Sequence, residues 1–157
     1  MKVIDPAYIT HLRALIPLIM ETEGDVLEMG MGWGSTLVLH ELCRNRKLVS
    51  YENDKGIYDS FSQFRTEWHD IRFVEDWEQA EIQVPWSVAL IDHKPARRRR
   101  RDLIRLKGFA DYIVVHDSEL TADRFFRIRG RFSNFRYIRV YNETKPETTV
   151  LSDKYQL

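Results

Sequence analysis

Two short runs concentrate titratable side chains in this 157-residue chain: ALIDHKPA at 89–96 and IVVHDSE at 113–119. Each sets an aspartate beside a histidine, Asp92 with His93 and His116 with Asp117. An imidazole titrates near neutrality and can take a proton from a substrate nucleophile. Two carboxylates brought to one centre repel unless a proton or a cation lies between them. Hard divalent ions such as Mg2+ take oxygen ligands of this kind. Asp92, His93, His116 and Asp117 are therefore the candidates for proton transfer, with Asp92 and Asp117 as candidate metal ligands. The bland alternative for each histidine is a hydrogen bond to backbone or to its own aspartate.

A second stretch, LEMGMGWGS at 27–35, alternates Gly30, Gly32 and Gly34 with bulky residues. Glycine permits a tight turn and a close approach of ligand to backbone. Free N–H groups at a following helix start favour a carboxylate or phosphate. Glu52 follows Gly32 by 20 positions. A carboxylate there can accept hydrogen bonds from both hydroxyls of a ribose. The combination indicates a cofactor that carries a nucleoside.

Both runs need elements to place them. Strands are expected at 25–29, 47–52, 71–75, 86–92 and 112–116, the last two as nearly continuous apolar runs covered on both faces. Helices are expected at 6–21, 35–44, 56–68, 95–106 and 121–129. FRYIRVYN and ETTVLSD, joined by a short polar turn, read as an antiparallel hairpin. Alternating strands and helices imply a parallel sheet with right-handed crossovers. Ligands of such sheets lie at the carboxyl ends of the strands. Asp92 and Asp117 then sit at the tips of neighbouring strands, about 4.8 Å apart.

With Glu28 two residues ahead of Gly30 and the third glycine one residue early for a dinucleotide turn, the chain resembles the class I S-adenosylmethionine-dependent methyltransferases. The resemblance runs over nearly all of residues 1–157, read as one domain. It implies a Rossmann-like three-layer α/β/α sandwich with a mostly parallel seven-stranded sheet, order 3-2-1-4-5-7-6, whose last strand is antiparallel. It assigns Gly30, Gly32 and Gly34 to the methionine end of S-adenosyl-L-methionine and Glu52 to the ribose. It places Glu28 near the cofactor's amino group and Ser35 near its carboxylate. Trp33 and Asn53 adjoin these positions and join the cofactor-binding candidates. In VEDWEQA, Asp76 corresponds to the polar residue near the adenine amino group, with Trp77 as a stacking or core-packing neighbour. Asp92 borders both cofactor and acceptor.

LEMG, SYEN and LIDHK are similar to the catechol-type O-methyltransferases and their bacterial and phage relatives, some of which end the fifth strand in HD. That likeness implies Mg2+ beside the acceptor and a catalytic lysine, here Lys94. Two positions depart from the pattern. Ser118 stands where that group has asparagine, and Lys94 follows Asp92 by two residues rather than three.

Other chemistry is excluded or set lower. No Asn/Asp-Pro-Pro-aromatic segment of amino-methylating DNA enzymes follows the fourth strand. Cys43, the lone cysteine, lies in an apolar stripe of the first helix and reads as core. One cysteine makes no internal disulfide, which suits a reducing, cytoplasmic setting. No apolar run is long enough to span a bilayer, so no membrane partner is expected. Net charge is zero but polarised: residues 1–92 hold 8 basic and 16 acidic residues, a net of −8, and residues 93–145 hold 15 and 6, a net of +9.

Arg97 to Arg101 wrap the start of a helix, since five in a row at about 100° each cannot share a face. A solvated helix with some arginines paired to the acidic half is one reading. An acidic or phosphate-bearing substrate, including RNA, is the other. The leading expectation is O-methylation of a small hydroxylated or acidic acceptor. RNA or nucleotide methylation and a catalytically silent cofactor-binding module are the alternatives, with a nicotinamide oxidoreductase more distant.

Overall fold

The computed structural model describes residues 5–157. Seven strands form one sheet in the order β3-β2-β1-β4-β5-β7-β6. They are β1 (Val26–Met29), β2 (Leu48–Glu52), β3 (His69–Phe73), β4 (Trp86–Ile91), β5 (Ala110–His116), β6 (Tyr137–Tyr141) and β7 (Thr148–Ser152). The first five are mutually parallel, and β7 runs antiparallel to both β5 and β6. The expected order and the terminal hairpin are both present.

Side-chain alternation along the strands divides the core in two. Val26, Leu48, Val88, Leu90, Val114 and Val150 face Ala14, Leu15 and Ile19 of α1 (Leu12–Glu21) and Leu39 of α2 (Thr36–Leu42), together with Cys43. Their sequence neighbours Leu27, Val49, Ala89, Ile91, Ile113 and Val115 face Trp77, Phe132, Phe135 and Leu103 and Leu106 of α4 (Arg99–Leu106). β1, β2, β4 and β7 are buried at every position, whereas β6, on the sheet's edge, is largely exposed. Leu15 has no exposed surface. Truncating such a side chain to alanine costs about 2–5 kcal/mol.

Several element boundaries differ from the sequence expectation for local reasons. The first helix is broken: Asp5 caps a 3₁₀ turn at Pro6–Ile9, and α1 begins only at Leu12. The break leaves Thr10 and His11 beside the sheet rather than inside a continuous helix. β3 starts two residues earlier than expected, because His69 and Asp70 pair with Leu48 and Val49. α3 (Lys55–Phe61) gives way to a 3₁₀ turn at Ser62–Phe64. Residues 96–98 are also 3₁₀ before α4, and α5 spans Leu120–Phe126.

Among the described residues, no helix is long and apolar enough to cross a membrane.

Candidate active site

Asp92 follows Ile91, which pairs with Val115 on β5, so Asp92 stands beside His116. Both continue the alternation of Leu90 and Val114 and point to the α1 side of the sheet. His116 Nδ1 lies 3.2 Å from Asp92 Oδ1, out of line for a full hydrogen bond. His116 Nε2 is 3.1 Å from the hydroxyl of Thr10. Burial opposes the charge on Asp92, but His116 and Arg99 beside it outweigh that and hold its carboxyl below the usual range. Burial likewise opposes His116, yet Asp92 raises its pKa overall.

A cation does lie between the two carboxylates, and it is the guanidinium of Arg99. Its Nη2 is 3.0 Å from Asp92 Oδ1 and its Nη1 is 3.2 Å from Asp117 Oδ2. It also donates to the backbone carbonyls of His93, Asp92 and His116 at 2.8, 2.9 and 3.1 Å. Arg99 is therefore buried at the first turn of α4, filling the gap between the tips of β4 and β5. Where Mg2+ between Asp92 and Asp117 was the expectation, the guanidinium supplies a positive charge. Asp117 adopts a left-handed backbone, φ 54°, which turns the chain out of β5. Such strained positions persist where the surroundings over-determine them.

Asp92 and His93 point to opposite faces of the sheet, as successive strand-end residues do. His93 is buried against Trp77, ring centroids 4.2 Å apart, with Nε2 2.9 Å from Asp102 Oδ2. Burial lowers its pKa despite the carboxylate. It belongs to the α4 packing and is turned away from His116. Lys94 is exposed, and its carbonyl accepts the Trp77 indole N–H at 2.7 Å. The Ser118 hydroxyl is buried and accepts from Thr149 at 2.8 Å.

The glycine turn follows β1, between Glu52 of β2 and Asp92 of β4. Its three glycines answer different demands. A Cβ on Gly30, at φ +90°, would lie 2.6 Å from the His93 backbone. A Cβ on Gly34 would lie 2.5 Å from the Tyr8 carbonyl. Gly32 alone faces open space, beside a hollow of about 320 Å³ lined by Met31, Trp33, Asp54 and Phe61 among others. A larger hollow of about 680 Å³ lies at the opposite, amino end of the strands and contains none of the candidate residues.

Glu28 is fully buried beneath the turn. It accepts from the hydroxyls of Ser35 and Ser50, both at 2.6 Å, and of Thr36 at 3.0 Å. Burial pushes its carboxyl up to about 7, with those three hydroxyls pulling against the rise. Ser35 is thus committed to Glu28. The Glu52 carboxylate accepts from the backbone N–H groups of Met31, Asn53 and Asp54, each at 2.8 Å. It joins the end of β2 to the glycine turn. Two carboxylate oxygens offer about four acceptor directions, so one remains beyond these three.

Trp33 is half exposed, its ring centroid 4.7 Å from that of Phe61. Asn53 is partly buried beside Glu52. Asp76 caps the 3₁₀ turn at Trp77–Gln79, accepting from the Glu78 N–H at 3.0 Å. Trp77 is core, 2% exposed.

Three residues that the sequence reading missed belong to the same end of the sheet. Arg99 was hidden in a run of five identical residues, where nothing marks the inward one. Its offset of four and seven from Leu103 and Leu106 on one helix face was the available signal. Thr10 and His11 were assigned to a helix that in fact breaks before them.

No protein-family model matches the chain, and no curated protein matches it by sequence. Solved structures do. A putative O-methyltransferase from Klebsiella pneumoniae superposes with a TM-score of 0.70 at 12% identity, over 96% of this chain and 81% of that one. The O-methyltransferase TomG from Streptomyces achromogenes, solved with S-adenosylmethionine, gives 0.66 at 13% identity over 96% and 81%. The N-terminal domain of human METTL16, solved with S-adenosylhomocysteine, gives 0.63 at 10% identity over 99% and 73%. The chain therefore shares its Rossmann-like fold with these methyltransferases.

Proposed function

We propose that the protein is an S-adenosylmethionine-dependent methyltransferase that methylates an oxygen of a small hydroxylated or acidic acceptor. One observation carries the reading. The glycine turn with the open face of Gly32, the Glu52 carboxylate and the Asp92–His116–Asp117 cluster all lie at the carboxyl end of one sheet, with β1 between β2 and β4. That arrangement suits a group-transfer site with its donor and acceptor halves at the same sheet end.

The cofactor, when bound, supplies a methyl group on a positively charged sulfur and hence the driving force of the reaction. The chain's residues bind, orient and handle one proton. Gly32 leaves the backbone accessible, and the Glu52 carboxylate receives ribose hydroxyls. The Asp92–His116 pair would take the proton that the acceptor hydroxyl gives up on methylation. Arg99 favours the ionised form of Asp92 and holds Asp92 and Asp117 in place. Glu28 acts beneath the turn, through Ser35 and Thr36, as a positioning residue.

A nucleic-acid acceptor is the second reading, and the surface of α5 favours it. Phe125 is 72% exposed. It stands between exposed Arg124 and Arg127, near the 3₁₀ turn that carries exposed Arg97. An exposed aromatic among arginines suits base stacking with phosphate contacts.

Incubating the protein with methyl-labelled cofactor and separate pools of small hydroxylated compounds and RNA tests both readings. Label transferred to a small-molecule fraction supports the first, and label in RNA supports the second. Transfer to neither by a protein that binds the cofactor supports a silent binding module.

A further inference from the structure

His11 is the anomaly of this end of the molecule. It is 1% exposed, and neither ring nitrogen has a hydrogen-bond partner among the described residues. Buried polar atoms without partners are uncommon in folded proteins, because each costs its lost hydration. Its ring stands edge-on to His116, centroids 4.7 Å apart. Nitrogen or oxygen atoms of His11, Asp92 and His116 lie within 4.8 Å of one another.

We propose that His11, Asp92 and His116 form a binding site for a first-row divalent transition ion such as Zn2+, Fe2+ or Mn2+. Two imidazoles and one carboxylate are the three-ligand set of open metal sites, and imidazole donors favour these ions over Mg2+. The site differs from a pair of aspartates bridged by Mg2+, and it stands whether or not the protein transfers methyl groups.

Two further observations fit. The Thr10 hydroxyl meets His116 Nε2 at 3.1 Å. In the tautomer that donates to Thr10, Nδ1 keeps its lone pair toward Asp92. A hydrogen bond on the outer nitrogen is how ligating histidines are usually oriented. Arg99 sits on Asp92 Oδ1, and the other carboxylate oxygen stays available. Two ligands about 2.1 Å from a tetrahedral ion are about 3.4 Å apart, so donors near the 4.8 Å limit close by about an ångström when the ion binds.

The test uses the full chain without a histidine tag, stripped with chelator and titrated with Co2+. Visible ligand-field absorption is followed, and Zn2+ is added as competitor. The expected result is one Co2+ per chain, displaced by Zn2+. His11→Gln should weaken binding by at least about 100-fold and the milder Thr10→Val by roughly tenfold. His40→Gln, remote from the site, should bind as wild type. Circular dichroism confirms that each variant is folded. Absence of saturable Co2+ and Zn2+ binding by the wild type overturns the proposal, as does equal binding by folded His11→Gln and wild type. S-adenosylhomocysteine titrated into the same samples is a separate readout, so failure of the metal site and failure of the methyltransferase reading are distinguished.

Discussion

Arg99 holds Asp92 twice: Nη2 donates to its backbone carbonyl at 2.9 Å and stands 3.0 Å from its carboxylate. The same guanidinium reaches Asp117 and the carbonyls of His93 and His116. One buried side chain thereby closes the ends of β4 and β5 and balances their acids.

Arg99→Met should therefore destabilise the fold. Removing one partner of a buried ion pair costs about 3 kcal/mol. For a domain of this size that lowers the melting temperature by roughly 10 °C. Arg99→Lys should recover less than half of the loss, because an ammonium cannot present the same fork of donors. Thermal melts measure both, and an unchanged melting temperature for Arg99→Met would contradict this role.

Glu28 predicts a pH effect. Its carboxyl is raised from 4.5 in the unfolded chain to about 7. Between those values the folded state holds a proton that the unfolded state has released. Stability from this group is fully present below pH 4.5 and is lost as pH rises through 7. The loss is about 3 kcal/mol. Glu28→Gln keeps an acceptor beneath the turn and removes the titration. Urea unfolding at pH 5 and pH 8 should show the variant losing less stability than wild type over that interval. Equal losses would remove Glu28 as the source.

The three glycines should separate folding from binding. Gly30→Ala and Gly34→Ala meet backbone atoms at 2.6 and 2.5 Å and should destabilise by about 2 kcal/mol. Gly32→Ala meets nothing and should leave stability within roughly 1 kcal/mol of wild type. It should nonetheless weaken S-adenosylhomocysteine binding. Melts and binding titrations on the three variants check the division, and wild-type affinity in Gly32→Ala counts against a ligand at that face.

Cys43 has no exposed surface, and burial pushes its thiol up to about 11. A thiol reagent at pH 8 should leave the native protein unmodified and label it fully in denaturant. Rapid native labelling would mean that the contact between α2 and the sheet opens.

The architecture was legible because β4 and β5 are nearly continuous apolar runs and glycines punctuate the step from β1 to α2. The glycine turn, Glu52 and the paired tips of β4 and β5 follow from strand order alone. The orientation of the site was legible only in part. Strand alternation separates Asp92 and His116 from His93, and that signal is present in LIDH and VVHD. The cation between the carboxylates was not readable, since it depends on which of five arginines a broken helix start turns inward. Nor was His11, whose place depends on a helix that stops at Ile9 and restarts at Leu12. Glu28 and Ser35 were legible as neighbours of the turn. Their bond to each other required the packing of β1 against β2.

Isothermal titration of the wild-type protein with S-adenosylhomocysteine and, separately, with NAD tests the central claim most directly. The predicted result is saturable binding of one S-adenosylhomocysteine per chain, weakened in Gly32→Ala, with no heat from NAD. Saturable binding of NAD with none of S-adenosylhomocysteine would contradict it.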